Sequence, residues 1–286
     1  MRVEYVAGEL RVSGVAFDVP LVLYDSAQAF HWVPRGGGYA AAVGGRAALV
    51  KPLESEDGFA LTGPRAGDVS FWREYFDLDR DYSALAAACS EYPVAMRALA
   101  ALPGLRVLRQ PPWEALVAFI LSVNNNVARI RRLTLALCEA LGDRSDDLGV
   151  YGFPGPDALA NAGEHRLRAL GVGYRAPYLI GAARAVADGF PLDSLAAMPY
   201  ERARERLMTL AGVGPKVADC ILLFGCGHAG AFPVDVWVGR LMRGWFGLER
   251  AADRELPGIA RGMFGENAGL IQQSLFHCAR LGLIEL

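Results

Sequence analysis

Between Tyr75 and Tyr82 the chain changes its period, and this change constrains the architecture more than any other feature. From Leu10 to about Gly63 it reads as short runs: LRVSGVAFDV, VPLVLYD, AFHWV, GYAAAV, RAALVK and GFALTG. These are rich in β-branched and aromatic residues and separated by Gly, Pro, Asp and Ser, with PRGGG and VGGR as turns. Such runs predict an antiparallel sheet. Beyond FWREYFDLDRDY, Leu and Ala recur at spacings of three and four, the repeat of helices buried along one face. The runs are ALAAACSEYPVAMRALAAL, PWEALVAFILSV, ARIRRLTLALCEALG, EHRLRALG, YRAPYLIGAARAVADGF, YERARERLMTLAG and AGLIQQSLFHCARLGL. Gly142, Gly171 and Gly189 fall where helices should end. The expected fold class is α+β with segregated elements. An N-terminal antiparallel sheet domain occupies residues 1–80 and a helical region 81–286.

Two segments echo each other. Leu167–Ala176 reads LRALGVGYRA and Leu207–Ala218 reads LMTLAGVGPKVA. Each ends a helix, passes through Gly-Val-Gly and restarts a helix near a basic residue. The period is not sustained, so these are two helix–turn–helix corners rather than a solenoid.

The second corner carries chemistry. Gly212, Val213 and Gly214 permit a tight hairpin, and Pro215 suits a first helical position. The free amides of such a turn form an anion site suited to a phosphate diester. A main-chain grip of that kind reconciles nucleic-acid binding with a formal net charge of only −2. Lys216 falls in the same first turn. A cation there opposes the helix dipole, and apolar neighbours (Val213, Val217, Leu223, Phe224) strip its water, so a lowered pKa is expected. A neutral amine can attack carbon and form a Schiff base. Asp235, after Pro233, is expected at the start of a helix over 234–243, where it caps the helix and faces a cationic, sugar-like transition state. Each residue also has a plainer reading: a common turn, a solvated lysine, a simple cap.

Composition narrows the class. Apolar residues make up 53% of the 286, enough for a sizeable core. The five cysteines are scattered, with no C-x-x-C pair and no metal-ligand spacing, which fits reduced thiols. The start MRVEYVAGELRV lacks the apolar stretch of a signal peptide, and no run is long enough to span a bilayer. The expectation is a cytoplasmic protein, nucleoid-associated if bacterial, neither secreted nor in a membrane.

Taken together, the hairpin LAGVGPK and the segment GAFPVDV resemble the helix–hairpin–helix, Gly/Pro-Asp superfamily of DNA glycosylases, and more narrowly the 8-oxoguanine DNA glycosylase/lyase family. The matching stretches are AQAFHW (27–32), YFDLD (75–79), RQPPWEALVAFILSVNNNVARI (109–130), YGFP (151–154), LGVGYRAPYL (170–179), GVGPKVADCILL (212–223) and PVDV (233–236). The resemblance implies a helical core of two subdomains, with the hairpin near 200–226 and the Gly/Pro-Asp segment near 227–245. It implies a monomer acting on double-stranded DNA that contains oxidised guanine. Lys216 would attack C1′, displace the base and cleave the backbone by β-elimination, supported by Asp235.

The resemblance assigns further roles. Phe276 and Cys220 would sandwich the flipped purine, Gln272 would meet its Watson–Crick edge, and the carbonyl of Ala27 would accept the N7–H of the oxidised base. Asn124, Arg129 and Arg175 would hold the estranged cytosine, with Tyr174 as the wedge. A polar loop, a solvated basic face, a surface aromatic and a core phenylalanine are the plainer readings of these residues. The phosphate contacts fall on Gly212, Val213, Gly214 and Trp237. Two positions depart from the family: alanine stands at 27 in place of glycine, and tryptophan at 237 in place of a histidine. No redox cofactor or catalytic metal is called for; a cation on the hairpin carbonyls is a family feature that no residue here identifies. An iron–sulfur loop after the helix bearing Phe276 is not expected. Two rival readings are an alkylpurine glycosylase, which has no need of Lys216, and a non-catalytic DNA-binding module, which has no need of Asp235.

Overall fold

The computed structural model describes residues 1–145 and 147–284. Six strands, β1 (Arg2–Val6), β2 (Glu9–Ser13), β3 (Val33–Arg35), β4 (Gly38–Val43), β5 (Arg46–Pro52) and β6 (Gly58–Thr62), form one antiparallel sheet in the order β1-β2-β6-β5-β4-β3. Helix α1 (Val69–Tyr75) closes one face: Trp72, Tyr75 and Phe76 pack with Leu10, Val12, Phe59 and Leu61. The Trp32 indole donates to the Tyr75 hydroxyl at 2.8 Å, so this aromatic core leaves the polar end of that ring satisfied.

Two strand expectations differ from the structure, and one strand has no counterpart among them. VPLVLYD forms a π-helical turn over Leu21–Asp25, because the Asp18 carboxylate accepts the Leu21 amide at 2.9 Å and starts a helical turn after Pro20. AFHWV is extended only from Val33; Ala29 to Trp32 are buried inside the chain rather than laddered. The strand at Arg2–Val6 had no expectation, since it is an edge strand with little burial to impose alternation.

The helices follow in sequence: α2 (Ala84–Ala88), α3 (Pro93–Ala101), α4 (Pro112–Leu121), α5 (Val127–Leu141), α6 (Pro156–Asn161), α7 (Glu164–Ala169), α8 (Ala176–Ala187), α9 (Tyr200–Met208), α10 (Pro215–Phe224), α11 (Val236–Phe246), α12 (Leu256–Phe264) and α13 (Ala268–Leu281). The single helical run expected from Ala84 is split by Pro93, which starts α3. A two-stranded ladder, β7 (Arg144–Ser145) with β8 (Val150–Tyr151), packs beside β4 through Val150, Ala40 and Ala42. Gly171 and Gly189 take the left-handed conformation of helix ends. Gly142 does not: its φ is −92°, and a side chain there would meet the Gly152 carbonyl.

Two helical cores result. Helices α4, α5 and α8 to α10 share one, with Leu116, Phe119, Leu179, Leu207 and Ile221 at its centre. Helices α3, α11, α12 and α13 share another around Leu241, Leu256, Phe264 and Leu275. Among the described residues no helix is long and apolar enough to cross a membrane.

Candidate active site

Helices α9 and α10 meet at the Gly212–Gly214 hairpin. Gly212 has φ +85°, and a Cβ there would lie 2.6 Å from the Tyr178 ring of α8, so only glycine lets the hairpin seat against that helix. Gly214 is exposed, faces open space and caps α10 with no side-chain acceptor. The first amides of α10 are therefore left for an external acceptor. The Val213 amide is already used, donating to the Leu210 carbonyl at 3.1 Å, and its side chain is buried. The α9–α10 corner is fastened from below by Asp219, which is 1% exposed. It accepts from the Tyr200 hydroxyl at 2.6 Å and from Arg204 Nε at 2.9 Å. Burial pushes its carboxyl up to about 6, while these donors pull it back.

Lys216 occupies the second position of α10 and is half-buried. It is one of two lysines in the chain. The other, Lys51, is exposed on β5. The Lys216 amine lies 3.4 Å from Ser122 Oγ, at the end of α4, and 5.6 Å from the centre of the Phe119 ring. The Ser122 hydroxyl donates to the Phe119 carbonyl at 2.7 Å, which leaves its oxygen to accept from the amine. Cys220, one turn into α10, is buried. Burial lifts its thiol to about 11, opposed by the charge of Lys216 and a hydrogen bond with it, and reinforced by the charges of Asp219 and Asp235. Lysine, thiol and aspartate thus share one neighbourhood. No ion pair joins Lys216 to Asp235 among the described residues.

Asp235 precedes α11, and its Oδ1 accepts the Val238 amide at 2.8 Å. The helix starts at Val236, two residues later than expected, because Asp235 itself is the cap. Val236 and Trp237 follow, 69% and 47% exposed, with the Arg240 guanidinium 6.0 Å from the Trp237 ring.

Helix α13 brings the remaining pocket residues. Gln272 is buried; its Nε2 donates to the Pro233 carbonyl at 3.4 Å, and its Oε1 has no partner among the described residues. Phe276 packs at the margin of the C-terminal core, whereas Cys220 belongs to the central one. His277, buried beside Phe276, is pushed down to about 4 by burial and is neutral at pH 7. Ala27 has φ +56°, a left-handed backbone that costs an L-residue roughly 1 kcal/mol or more. This strain gives the departure from glycine a physical meaning. No donor reaches the Ala27 carbonyl among the described residues.

A third group gathers around the turn after α4. Asn124 has φ +47°, and its Nδ2 lies 3.3 Å from the Tyr174 hydroxyl. Tyr174 is 44% exposed. The neighbouring asparagines serve the backbone: Asn126 caps α5 by accepting the Arg129 amide at 2.9 Å, and Asn125 donates to the Leu121 carbonyl at 3.0 Å. Arg175 is 3% exposed and donates to the carbonyls of Val123, Asn124 and Val172, with its charge 4.6 Å from the Tyr174 ring. Arg129 lies at the exposed edge, 3.5 Å from the Gly171 carbonyl. Asn124, Arg129, Tyr174 and Arg175 are thus brought together, with Arg175 bracing the Asn124 turn. Ser122 had no expectation, since its partner lies 94 residues away and no local pattern marks it. A cavity of about 630 Å³ lies apart from this chemistry. It is lined by Tyr200, His228 and Arg261, at the end of α10 opposite Lys216.

Residues 117–259 match the model of the HhH-GPD superfamily of base excision DNA repair proteins, and residues 9–116 match the N-terminal domain of 8-oxoguanine DNA glycosylase. The N-glycosylase/DNA lyase OGG1 of Arabidopsis thaliana is 30% identical over 290 residues, covering 93% of this chain and 78% of that protein. This chain belongs to the 8-oxoguanine DNA glycosylase family. A probable N-glycosylase/DNA lyase of Methanothermobacter thermautotrophicus is 36% identical over 205 residues, 64% of this chain and 66% of the relative. The chain therefore aligns with a little under two thirds of that relative's length. Among solved structures, the Clostridium acetobutylicum 8-oxoguanine glycosylase/lyase in complex with DNA containing cytosine opposite 8-oxoG superimposes with a TM-score of 0.92. It is 29% identical and covers 99% of each chain.

Proposed function

We propose that the protein is a bifunctional DNA glycosylase and AP lyase that excises 8-oxoguanine paired with cytosine and nicks the resulting site. The observation that carries this reading is the lysine in the first turn of α10. Its amine is held by Ser122 beside Cys220, and a second helix N-terminus presents Asp235 to the same neighbourhood. A protein that only bound DNA would gain nothing from that cluster.

In this reading the Lys216 lone pair forms a bond to C1′ as the bond from C1′ to the purine breaks, and the departing base takes up a proton. Ring opening gives an imine between lysine and sugar. Loss of a proton from the adjacent carbon then expels the 3′ phosphate. Asp235 balances the positive charge that develops on the sugar. Gln272, through its unpartnered Oε1, meets donors on the base edge. Phe276 and Cys220 flank the ring, and the Ala27 carbonyl accepts the N7–H. Asn124, Arg129 and Arg175 hold the cytosine left behind, while Tyr174 props the base step open. The phosphates accept from the amides around Gly212 and Gly214, and Trp237 lies against the sugar–phosphate backbone through its ring.

The test is incubation with duplexes carrying 8-oxoguanine opposite each of the four bases. Base release with strand nicking, fastest opposite cytosine, is expected. Release of 3-methyladenine without nicking would replace this reading with that of an alkylpurine glycosylase.

A further inference from the structure

The left-handed alanine at position 27 is fastened on both sides. On its N-terminal side the Ser26 hydroxyl donates to the Val22 carbonyl at 2.8 Å. The Ser26 carbonyl accepts from Gln273 Nε2 at 2.7 Å, a buried bond between residues 247 apart in sequence. On its C-terminal side the wholly buried Gln28 donates to Ser26 Oγ at 2.9 Å and to the Arg106 carbonyl at 2.8 Å, and accepts from the Leu108 amide at 2.7 Å. Its own carbonyl accepts from Gln110 Nε2 at 2.7 Å. A strained backbone persists only where its surroundings over-determine it. Gln28 ties the loop to the 106–110 segment. Gln273 ties it to α13, the helix that also carries Gln272 and Phe276, and Arg280 at the far end of that helix donates to the Asp25 carbonyl.

Guanine presents a bare acceptor at N7, whereas its 8-oxo form carries a hydrogen there. A backbone carbonyl fixed at that point attracts one base and repels the other, and a hydrogen bond weakens steeply once its geometry slackens. We propose that Gln273 is a positioning residue for lesion discrimination. By gripping the Ser26 carbonyl it holds the Ala27 carbonyl in register with the pocket on α13, so that alanine serves at a turn suited to glycine. This inference rests on the base-pocket reading given above.

The experiment measures Kd for 8-oxoguanine·cytosine and guanine·cytosine duplexes in a Lys216→Gln background, alongside nicking of a preformed abasic site by protein that keeps Lys216. Gln273→Leu is expected to shrink the ratio of the two Kd values about tenfold, the loss of roughly one hydrogen bond, while abasic-site nicking changes by less than about twofold. Adding Ala27→Gly, which removes the strain, is expected to restore most of the ratio. That double variant carries the test if Gln273→Leu alone does not fold. An unchanged ratio in Gln273→Leu, an equal loss of nicking, or no recovery in the double variant would each overturn the proposal. A parent protein that shows neither lesion preference nor nicking overturns the base-pocket reading, and this inference with it.

Discussion

The amine of Lys216 and the hydroxyl of Ser122 lie 3.4 Å apart across the junction of α10 and α4, and the same hydroxyl donates to the Phe119 carbonyl at 2.7 Å. The serine therefore acts as an acceptor that holds the lysine over the Phe119 ring. Ser122→Ala is expected to slow single-turnover excision about tenfold, the cost of one hydrogen bond to an ionisable group, with DNA affinity little changed. An unaltered rate would show that the amine is placed by other contacts.

Asp235 does two jobs that substitution separates. As the cap of α11 it accepts the Val238 amide, and asparagine caps as well as aspartate does. Asp235→Asn should thus keep the thermal midpoint while excision falls by about 100-fold or more, the scale of a lost charge or proton-transfer group. Asp235→Ala should lose the activity and also about 1 kcal/mol of stability. Calorimetry beside single-turnover kinetics checks both. Equal destabilisation in the two variants would contradict the division.

Much of this was legible in the sequence, and what was not has physical causes. The α10 hairpin, its lysine and the capping aspartate were local patterns of glycine, proline and charge, and a local pattern suffices for a turn or a cap. VPLVLYD was not legible as a helical turn because it is apolar at nearly every position, so no period distinguishes strand from helix; the Asp18 cap decides it. The roles of Ser122, Gln28 and Gln273 depend on partners many tens of residues away and leave no local trace. The resemblance assigns the Arg175 guanidinium fork to the estranged cytosine. The structure shows most of that fork bracing the Val123 and Asn124 carbonyls, a use only the folded turn reveals.

The N-terminal sheet and the helices meet over a buried pair, His31 and Glu114, whose Nε2 and Oε2 are 3.8 Å apart. Burial drives His31 down to about 3 and Glu114 up to about 8, so both are neutral at pH 7. Between about 4.5 and 8 the folded protein keeps a Glu114 proton that the unfolded chain has released, so stability falls as pH rises through that window. His31 has the opposite sign: between about 6.5 and 3 the unfolded chain takes up a proton that the folded one refuses, so stability falls as pH drops. Glu114→Gln is expected to reduce the loss of thermal midpoint between about pH 6 and about pH 9. An unchanged alkaline loss would locate the ionisation elsewhere.

Trp237, exposed next to Asp235, offers a ring face rather than a charge. Trp237→Ala is expected to weaken DNA binding about tenfold, the scale of one aromatic stacking contact. The slope of log Kd against log salt should stay unchanged, because an indole displaces no counterion. A slope reduced by about one would instead mean that this position supports a phosphate ion pair.

The most direct measurement is borohydride trapping on an 8-oxoguanine·cytosine duplex. With only Lys51, Lys216 and the Met1 α-amine as primary amines, peptide mapping assigns the attacking group. The account predicts a covalent protein–DNA adduct that persists in Lys51→Arg, disappears in Lys216→Gln and maps to the peptide containing residue 216. An adduct retained in Lys216→Gln, or base release by the parent protein with none trapped, would contradict it.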